Sequence, residues 1–323
     1  MTADIKIGAF KPVKPNAFNW KRSIDSYSDT AVIKLPAIAR LKKNGESYGV
    51  VQTGLQFTEG MKVECYAGYN GNNALRFKGF VRRVNFSVPL EIECEGYSYQ
   101  LRKKRGINFS KKLTTAKELL TEIIKDTDIV LDPNMPKIEM DNVVFKNFSG
   151  TEVLDYMKDK ALLTIYFNHN VLYCGLLMGE AKATIKHRLN WNVIDDAGLK
   201  FNSNRELSKV TINVERRNKD GTKSRVSDGV KGSEEKIVNV RHIRNEKDRE
   251  LIAKEQRRKL LHKGYEGALN CFLIPVAETG MGTLIDDVRY PERNGLYFIE
   301  KIEGSFDSGG GRQKIHIGAY LGT

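Results

Sequence analysis

Two stretches near opposite ends of the chain repeat one alternation of apolar and polar positions. The first runs from Gly60-Met-Lys-Val-Glu-Cys-Tyr66 through Phe77-Lys-Gly79-Phe-Val-Arg-Arg-Val84 to Leu90-Glu-Ile-Glu-Cys-Glu-Gly96. The second runs from Gly282-Thr-Leu-Ile-Asp-Asp-Val288 through Gly295-Leu-Tyr-Phe-Ile-Glu-Lys-Ile302 to Arg312-Gln-Lys-Ile-His-Ile-Gly318. The outer glycines are 36 positions apart in both copies. A period of two turns one face of a strand to a core and the other to solvent or a partner. Val63, Cys65, Ile92 and Cys94 therefore share one side, and Lys62, Glu64, Glu91 and Glu93 the other. Breaks at Asn70-Gly71, Val88-Pro89, Pro291, Asn294-Gly295 and Gly309-Gly310-Gly311 supply turn chemistry. Each copy reads as a three-strand antiparallel meander closing into a barrel or sandwich.

Between the copies the period changes. Thr114 or Thr115 caps a predicted helix over Ala116 to Ile124, with Leu119, Leu120, Ile123 and Ile124 as its apolar stripe. A second helix starts near Ser149 or Thr151 and feeds a hairpin formed by Leu163 to Phe167 and Val171 to Cys174. A third, about Glu246 to His262, is crowded with charge; its narrow stripe of Leu251, Ile252, Leu260 and Leu261 suits a surface of the second β unit or an interface. The fold class is β-rich α+β, divided into a first β unit at 1–105, a small inserted α/β domain at 106–178, and a second β unit at 179–323 carrying the charged surface helix near 246–262.

A length of 323 residues fits two or three domains, and 40% hydrophobic with 29% charged residues is globular composition. The first residues lack the apolar core of a secretory signal, and no window reaches the ~20 apolar residues of a membrane span. Synthesis and folding in a bacterial cytoplasm is the expectation. The four cysteines show no C-x-x-C spacing, and Cys65 and Cys94 read as reduced core residues. No metal or cofactor motif is present in the sequence.

The net charge of +13 is concentrated. Leu101 to Lys125 holds eight Lys or Arg against Glu118 and Glu122, and Lys200 to Lys263 holds nineteen against ten acids. Such a surface attracts acidic proteins, nucleic acid or anionic membranes, and charge alone does not choose. Neither a helix-turn-helix, a zinc finger nor an RNA-reading aromatic motif is visible, so sequence-specific nucleic-acid recognition is not expected. Gly45-Glu-Ser47-Tyr-Gly49 matches G-x-S-x-G but lacks the strand before and helix after that a nucleophile elbow needs, and reads as an exposed loop. No paired acid and base stands out, so the chain reads as a non-enzyme.

The order of these motifs resembles the late control D family, the tail hub (baseplate hub) proteins of contractile phages and related injection systems, similar to the hub portion of type VI secretion spikes. Three stretches carry the resemblance: Gly60 to Leu101 across the first unit, Glu152 to Ala161 leading into the Tyr166–Tyr173 hairpin, and Asn294 to Gly318. It implies two tube-protein-like barrels per chain and a homotrimeric symmetry adaptor joining a hexameric tail tube to a trimeric spike. The implied partners are the tail tube protein, a separate spike protein, tape measure and other baseplate proteins, in a virion tail or injection particle. The chain ends at Thr323 without a fused spike, hence the expectation of a separate one. The family offers no catalytic residues to transfer. A basic nucleic-acid-binding module is the alternative function, and a cell-wall hydrolase a distant third.

The candidate residues are Gly60, Gly79, Gly96, Gly282, Gly295 and Gly318 for the turns that shape the barrels. Arg102, Lys103, Lys104, Arg105, Arg257 and Arg258 are the candidate interaction surface.

Overall fold

The computed structural model describes residues 1–43, 46–176, 181–196, 198–202, 210–218, 220–230, 232–240, 242–260 and 264–322, with backbone alone for 41–43, 46–48, 202 and 258–260. The chain opens with β1 (Thr2–Ile7), β2 (Ala17–Ser23), β3 (Ser26–Leu35), β4 (Ile38–Lys43), β5 (Glu46–Gln52), β6 (Lys62–Tyr69), β7 (Asn72–Asn85), β8 (Leu90–Glu95) and α1 (Ser98–Lys103). The middle carries β9 (Ile107–Thr115), α2 (Ala116–Ile124), β10 (Val130–Leu131), β11 (Glu139–Phe148), α3 (Gly150–Ala161), β12 (Thr164–Asn168) and β13 (Val171–Gly175). Then follow β14 (Thr184–Arg188), β15 (Val193–Asp195), β16 (Lys200–Asn202), β17 (Val210–Arg217), β18 (Lys223–Asp228), β19 (Glu234–Asn239), α4 (Glu246–Leu260), β20 (Gly264–Cys271), β21 (Gly282–Asp286), β22 (Gly295–Asp307) and β23 (Gly310–Gly322). No helix of the described residues is long and apolar enough to cross a membrane.

The internal repeat is present in the topology. β6, β7 and β8 form one antiparallel meander, and β21, β22 and β23 form another. In each, one more strand flanks either edge: β1 beside β6 and β3 beside β8, β14 beside β21 and β20 beside β23. The copies differ in that β1 runs antiparallel to its neighbour and β14 parallel. The alternation has the effect read from sequence, with Val63, Cys65, Ile92 and Cys94 buried in one core together with Ile5, Phe18, Ile33 and Phe77. The second core holds Leu269, Tyr297, Ile299, Ile302, Ile315 and Ile317. A fully buried side chain of this size contributes about 1.5–3 kcal/mol.

The expectation of two closed barrels is replaced by one mostly antiparallel, 13-stranded sheet that stays open. The reason lies in strand lengths. β22 spans 13 residues, and β21 covers only its start, from Gly295 to Phe298. The remainder, Lys301 to Phe306, keeps a free edge that β2 occupies, while the other edge of β2 pairs with β3. The two meanders are thereby fused across β2–β22, and among the described residues the outer strands are met only at the isolated bridges Ile5–Val13 and Leu189–Val193, so no strand ladder closes either half.

The helices begin where the capping signals lie. Thr115 accepts from the Glu118 N–H at the start of α2, and Ser149 with Glu152 forms a capping box on α3. Leu119, Leu120 and Ile123 are buried, and Ile124 partly so. The hairpin β12–β13 forms as expected, but β10 adds to it in parallel, and the antiparallel pair β9–β11 joins segments separated by α2. α4 packs on β17 and β18 of a small three-stranded sheet, and Val210, Ile212, Val214, Ile252 and Ala253 share the core of α2 and α3. Residues 210–253 thus complete the core of the insert, although they follow it in sequence after β14–β16. Ser47 and Gly49 lie on β5, paired with β4 as a hairpin in place of the expected loop, and only a single 3-10 turn, Thr53–Gln56, follows; Gly45 falls outside the described residues.

Candidate interaction site and interunit junction

The alternation of β2 places Phe18, Trp20 and Arg22 on its inward side, so a cation is carried into a buried position. A buried charge demands partners. Arg22 Nε donates to Asp29 Oδ2 on β3 at 3.4 Å, and Nη2 donates to Asn168 Oδ1 at 2.9 Å. The Asn168 amide donates to Glu278 Oε2 at 2.6 Å, and His169 Nε2 lies 3.5 Å from Glu278 Oε1. His169 occupies a left-handed backbone position, φ 54°, in the turn between β12 and β13, which aims its ring at Glu278. One polar chain thus ties together the first meander's flanking strands, the hairpin of the insert, and the segment leading into β21.

Charges within the junction are set by burial and by these bonds. Burial pushes the Asp29 carboxyl up to about 7 against the pull of Arg22. Hydrogen bonds from His169 and Asn168, with Arg22 nearby, hold Glu278 down at about 2. Burial lowers the basicity of His169, opposed by Glu278. Asp29 Oδ1 and His169 Nδ1 are buried without hydrogen-bond partners. Both Glu278 oxygens are engaged, so this carboxylate acts as a clamp between the units. A second clamp lies nearby: buried Arg76 on β7 donates to the carbonyls of Ala67 at 3.2 Å and Leu273 at 2.5 Å. The Leu273 N–H donates to Tyr69 Oη at 3.1 Å, and its side chain enters the first core.

Two of the four cations in the basic run foreseen as a surface are paired with acids. α1 buries Leu101 and splays its cations over neighbouring acids. Arg102 binds Glu95 Oε2 through Nε at 3.1 Å and Nη2 at 2.8 Å and lies over the Tyr99 ring. Lys103 pairs with Glu59 at 2.7 Å, and Lys104 donates to the Lys125 carbonyl at 2.6 Å. Arg105 is exposed. Arg257 turns inward, donating to the Val210 carbonyl at 3.2 Å and to Asp228 Oδ2 at 3.4 Å, and so holds α4 on its sheet. The Arg258 side chain lies outside the described residues. No contact among the described residues links Arg102–Arg105 to Arg257.

The six glycines occupy different settings. Gly60 lies in the turn before β6 at φ +89°, Gly96 directly follows β8, and Gly282 and Gly295 open β21 and β22. Gly79 and Gly318 lie inside β7 and β23. At Gly79 the constraint is close approach: a Cβ there would overlap the Glu95 carbonyl oxygen, beside the register shift between Val81 and Arg83.

Sequence reading missed Arg22, Asp29, Asn168 and Glu278. The signal available for one of them was Arg22 itself, a charge at an inward position of the Phe18, Trp20, Arg22 alternation.

No family model matches the chain. No curated protein matches it in sequence. Solved structures do match in fold. The 43 kDa tail protein of prophage MuSo2 from Shewanella oneidensis superimposes with a TM-score of 0.62 at 14% identity, covering 98% of this chain and 97% of that one. A tail protein from Neisseria meningitidis MC58 gives 0.65 at 12% identity, over 98% and 96%. The E. coli c3393 protein, described as a component of the type VI secretion system similar to T4 bacteriophage tail proteins, gives 0.59 at 10% identity, over 99% and 78%. At these identities the likeness is one of fold, and that fold is shared with phage tail and type VI secretion proteins.

Proposed function

We propose that the protein is a structural, non-enzymatic component of a phage tail or baseplate, and within that class a trimeric hub between tail tube and spike. The observation that carries this reading is the duplicated β unit fused within one chain at β2–β22, in a fold shared almost end to end with phage tail proteins. Two similar units per chain in a closed threefold assembly offer six similar faces to a sixfold ring and three to a threefold partner. The division belonging to this reading has tube-like units at 1–105 and 179–323 flanking the insert at 106–178, with residues 210–253 contributing to the insert's core. The proposed partners are a tube protein, a separate spike, and neighbouring baseplate or tape measure proteins, in an assembled particle.

The test is the solution mass of the purified chain by light scattering, alone and mixed with a candidate spike, at low and high salt. A threefold mass persisting at high salt is the expected outcome. A chain that stays monomeric in every mixture overturns the hub reading.

A further inference from the structure

The seam between the two β units carries a surface that the basic runs of the sequence do not announce. On the face opposite the cores, cross-strand register aligns two rows of side chains. One row reads Val32, Asn19, Ser305, Arg312, and the next Thr30, Lys21, Glu303, Lys314, Asn270. These residues line a shallow open depression of about 400 Å³, floored by Gly304 and the Trp20 ring that lies against it. Neither row exists within one unit, because β2 and β3 come from the first and β20, β22 and β23 from the second.

The charge in this depression is unbalanced. Its only lining carboxylate is Glu303, which is taken by Lys301 at 2.5 Å and His316 at 3.0 Å, contacts that hold it below its usual range. Lys21 and Lys314 flank Glu303 in the register from either side, and no ion pair of theirs or of Arg312 occurs among the described residues. The nearby acids are occupied: Asp195 accepts from the Asn270 amide, and Glu95 is held by Arg102. Strand spacing separates the attachment points of Lys21 and Lys314 by about 10 Å, and those of Arg312 and Lys314 by about 7 Å.

The kind of partner follows from what the face lacks. Protein interfaces are anchored by large apolar or aromatic side chains inserted in pockets. None of the exposed large hydrophobic residues lies in this depression, and its one aromatic residue, Trp20, is 4% exposed. Lys21 and Lys314, without ion pairs among the described residues, and Arg312, held there only by the Gly311 carbonyl at 2.8 Å and the Phe272 ring, suit the phosphates of a nucleic-acid backbone, set amid the hydrogen-bonding side chains of Asn19, Thr30 and Ser305. Without an exposed ring on which bases could stack, the contact is independent of sequence. We infer that the β2–β22 seam is a sequence-independent nucleic-acid backbone site, with Lys21, Arg312 and Lys314 as its phosphate-binding residues. The inference does not rest on the hub reading, since it concerns a face complete within one chain.

The test is fluorescence anisotropy of a random-sequence duplex with the full chain across a salt series. Three phosphate contacts add about 2.7 to the slope of log affinity against log salt, a change of about 40-fold between 50 and 200 mM. The variant Lys21→Gln/Arg312→Gln/Lys314→Gln is expected to lose that part of the slope and to bind about tenfold more weakly at low salt. Lys21→Arg/Lys314→Arg should retain both, and Arg102→Gln/Lys103→Gln/Lys104→Gln should bind as the parent does. Far-ultraviolet circular dichroism melting checks that every variant is folded. A triple glutamine variant that is folded and keeps the parental slope overturns the assignment. So does poly-glutamate of matched charge displacing the duplex as well as unlabelled duplex does.

Discussion

The Glu278→Gln substitution tests whether the buried junction is held by charge. The wild-type carboxylate sits at about 2 in the folded protein against an ordinary 4.5, because the protons of His169 and Asn168 point at its ionised oxygens. A carboxylate depressed in this way stabilises the fold above pH 4.5, and that stability is lost as pH falls through 4.5 towards 2. At about 1.4 kcal/mol per pH unit, the gap is worth about 3 kcal/mol at pH 7 and about 2 kcal/mol at pH 3.5. Glutamine keeps the shape and can still accept from Asn168, but removes the charge. Urea unfolding of parent and variant, followed by circular dichroism at pH 7 and at pH 3.5, measures the difference at each pH, so carboxylates common to both proteins cancel. The variant should be about 3 kcal/mol less stable at pH 7, and the deficit should shrink on acidification. A deficit of the same size at both pH values would refute the charge argument and assign the effect to hydrogen-bond geometry. A deficit below about 1 kcal/mol at pH 7 would mean the ionised form is not preferentially held at all.

Three further outcomes are expected. Burial lowers His187 to about 4, with its Nδ1 against Thr283 Oγ1 at 2.7 Å, so the ring stays neutral when folded and about 3 kcal/mol of stability is lost as pH falls from 6.5 to 4; an imidazole titration followed by NMR with a midpoint near 6.5 would contradict this. Gly79→Ala drives a Cβ into the Glu95 backbone and should cost about 3 kcal/mol or more, whereas Gly60→Ala, strained by its φ of +89° with only the Tyr99 hydroxyl, 3.3 Å from the new Cβ, to displace, should cost about 1–2 kcal/mol; equal costs in thermal melts would show that turn conformation dominates at both. Ser149→Ala removes the capping box of α3 and should cost about 1 kcal/mol, with faster amide exchange confined to the first turn of that helix; unchanged exchange there would show that packing of Val153, Leu154 and Met157 fixes the helix start without the cap.

Much of the local structure was written in the chain. Period-two alternation located both meanders and the inward sides of Val63, Cys65, Ile92 and Cys94, and Thr115 and Ser149 marked the helix starts, because alternation and capping are interactions between residues close in sequence. The duplication was likewise legible, since two copies of one pattern need no structure to be compared. Three features were decided by the tertiary structure alone. The join of β2 to the second half of β22 depends on an edge left free by a short β21, and relates residues about 280 positions apart. The placement of residues 210–253 in the insert's core depends on which apolar faces remained uncovered. The charge map changed most: the runs that look most basic in sequence find acids or carbonyls in space, as Arg102 finds Glu95 and Lys103 finds Glu59, while scattered Lys21, Arg312 and Lys314 gather at the seam. Electrostatics depends on distances in space, and sequence separation does not report them.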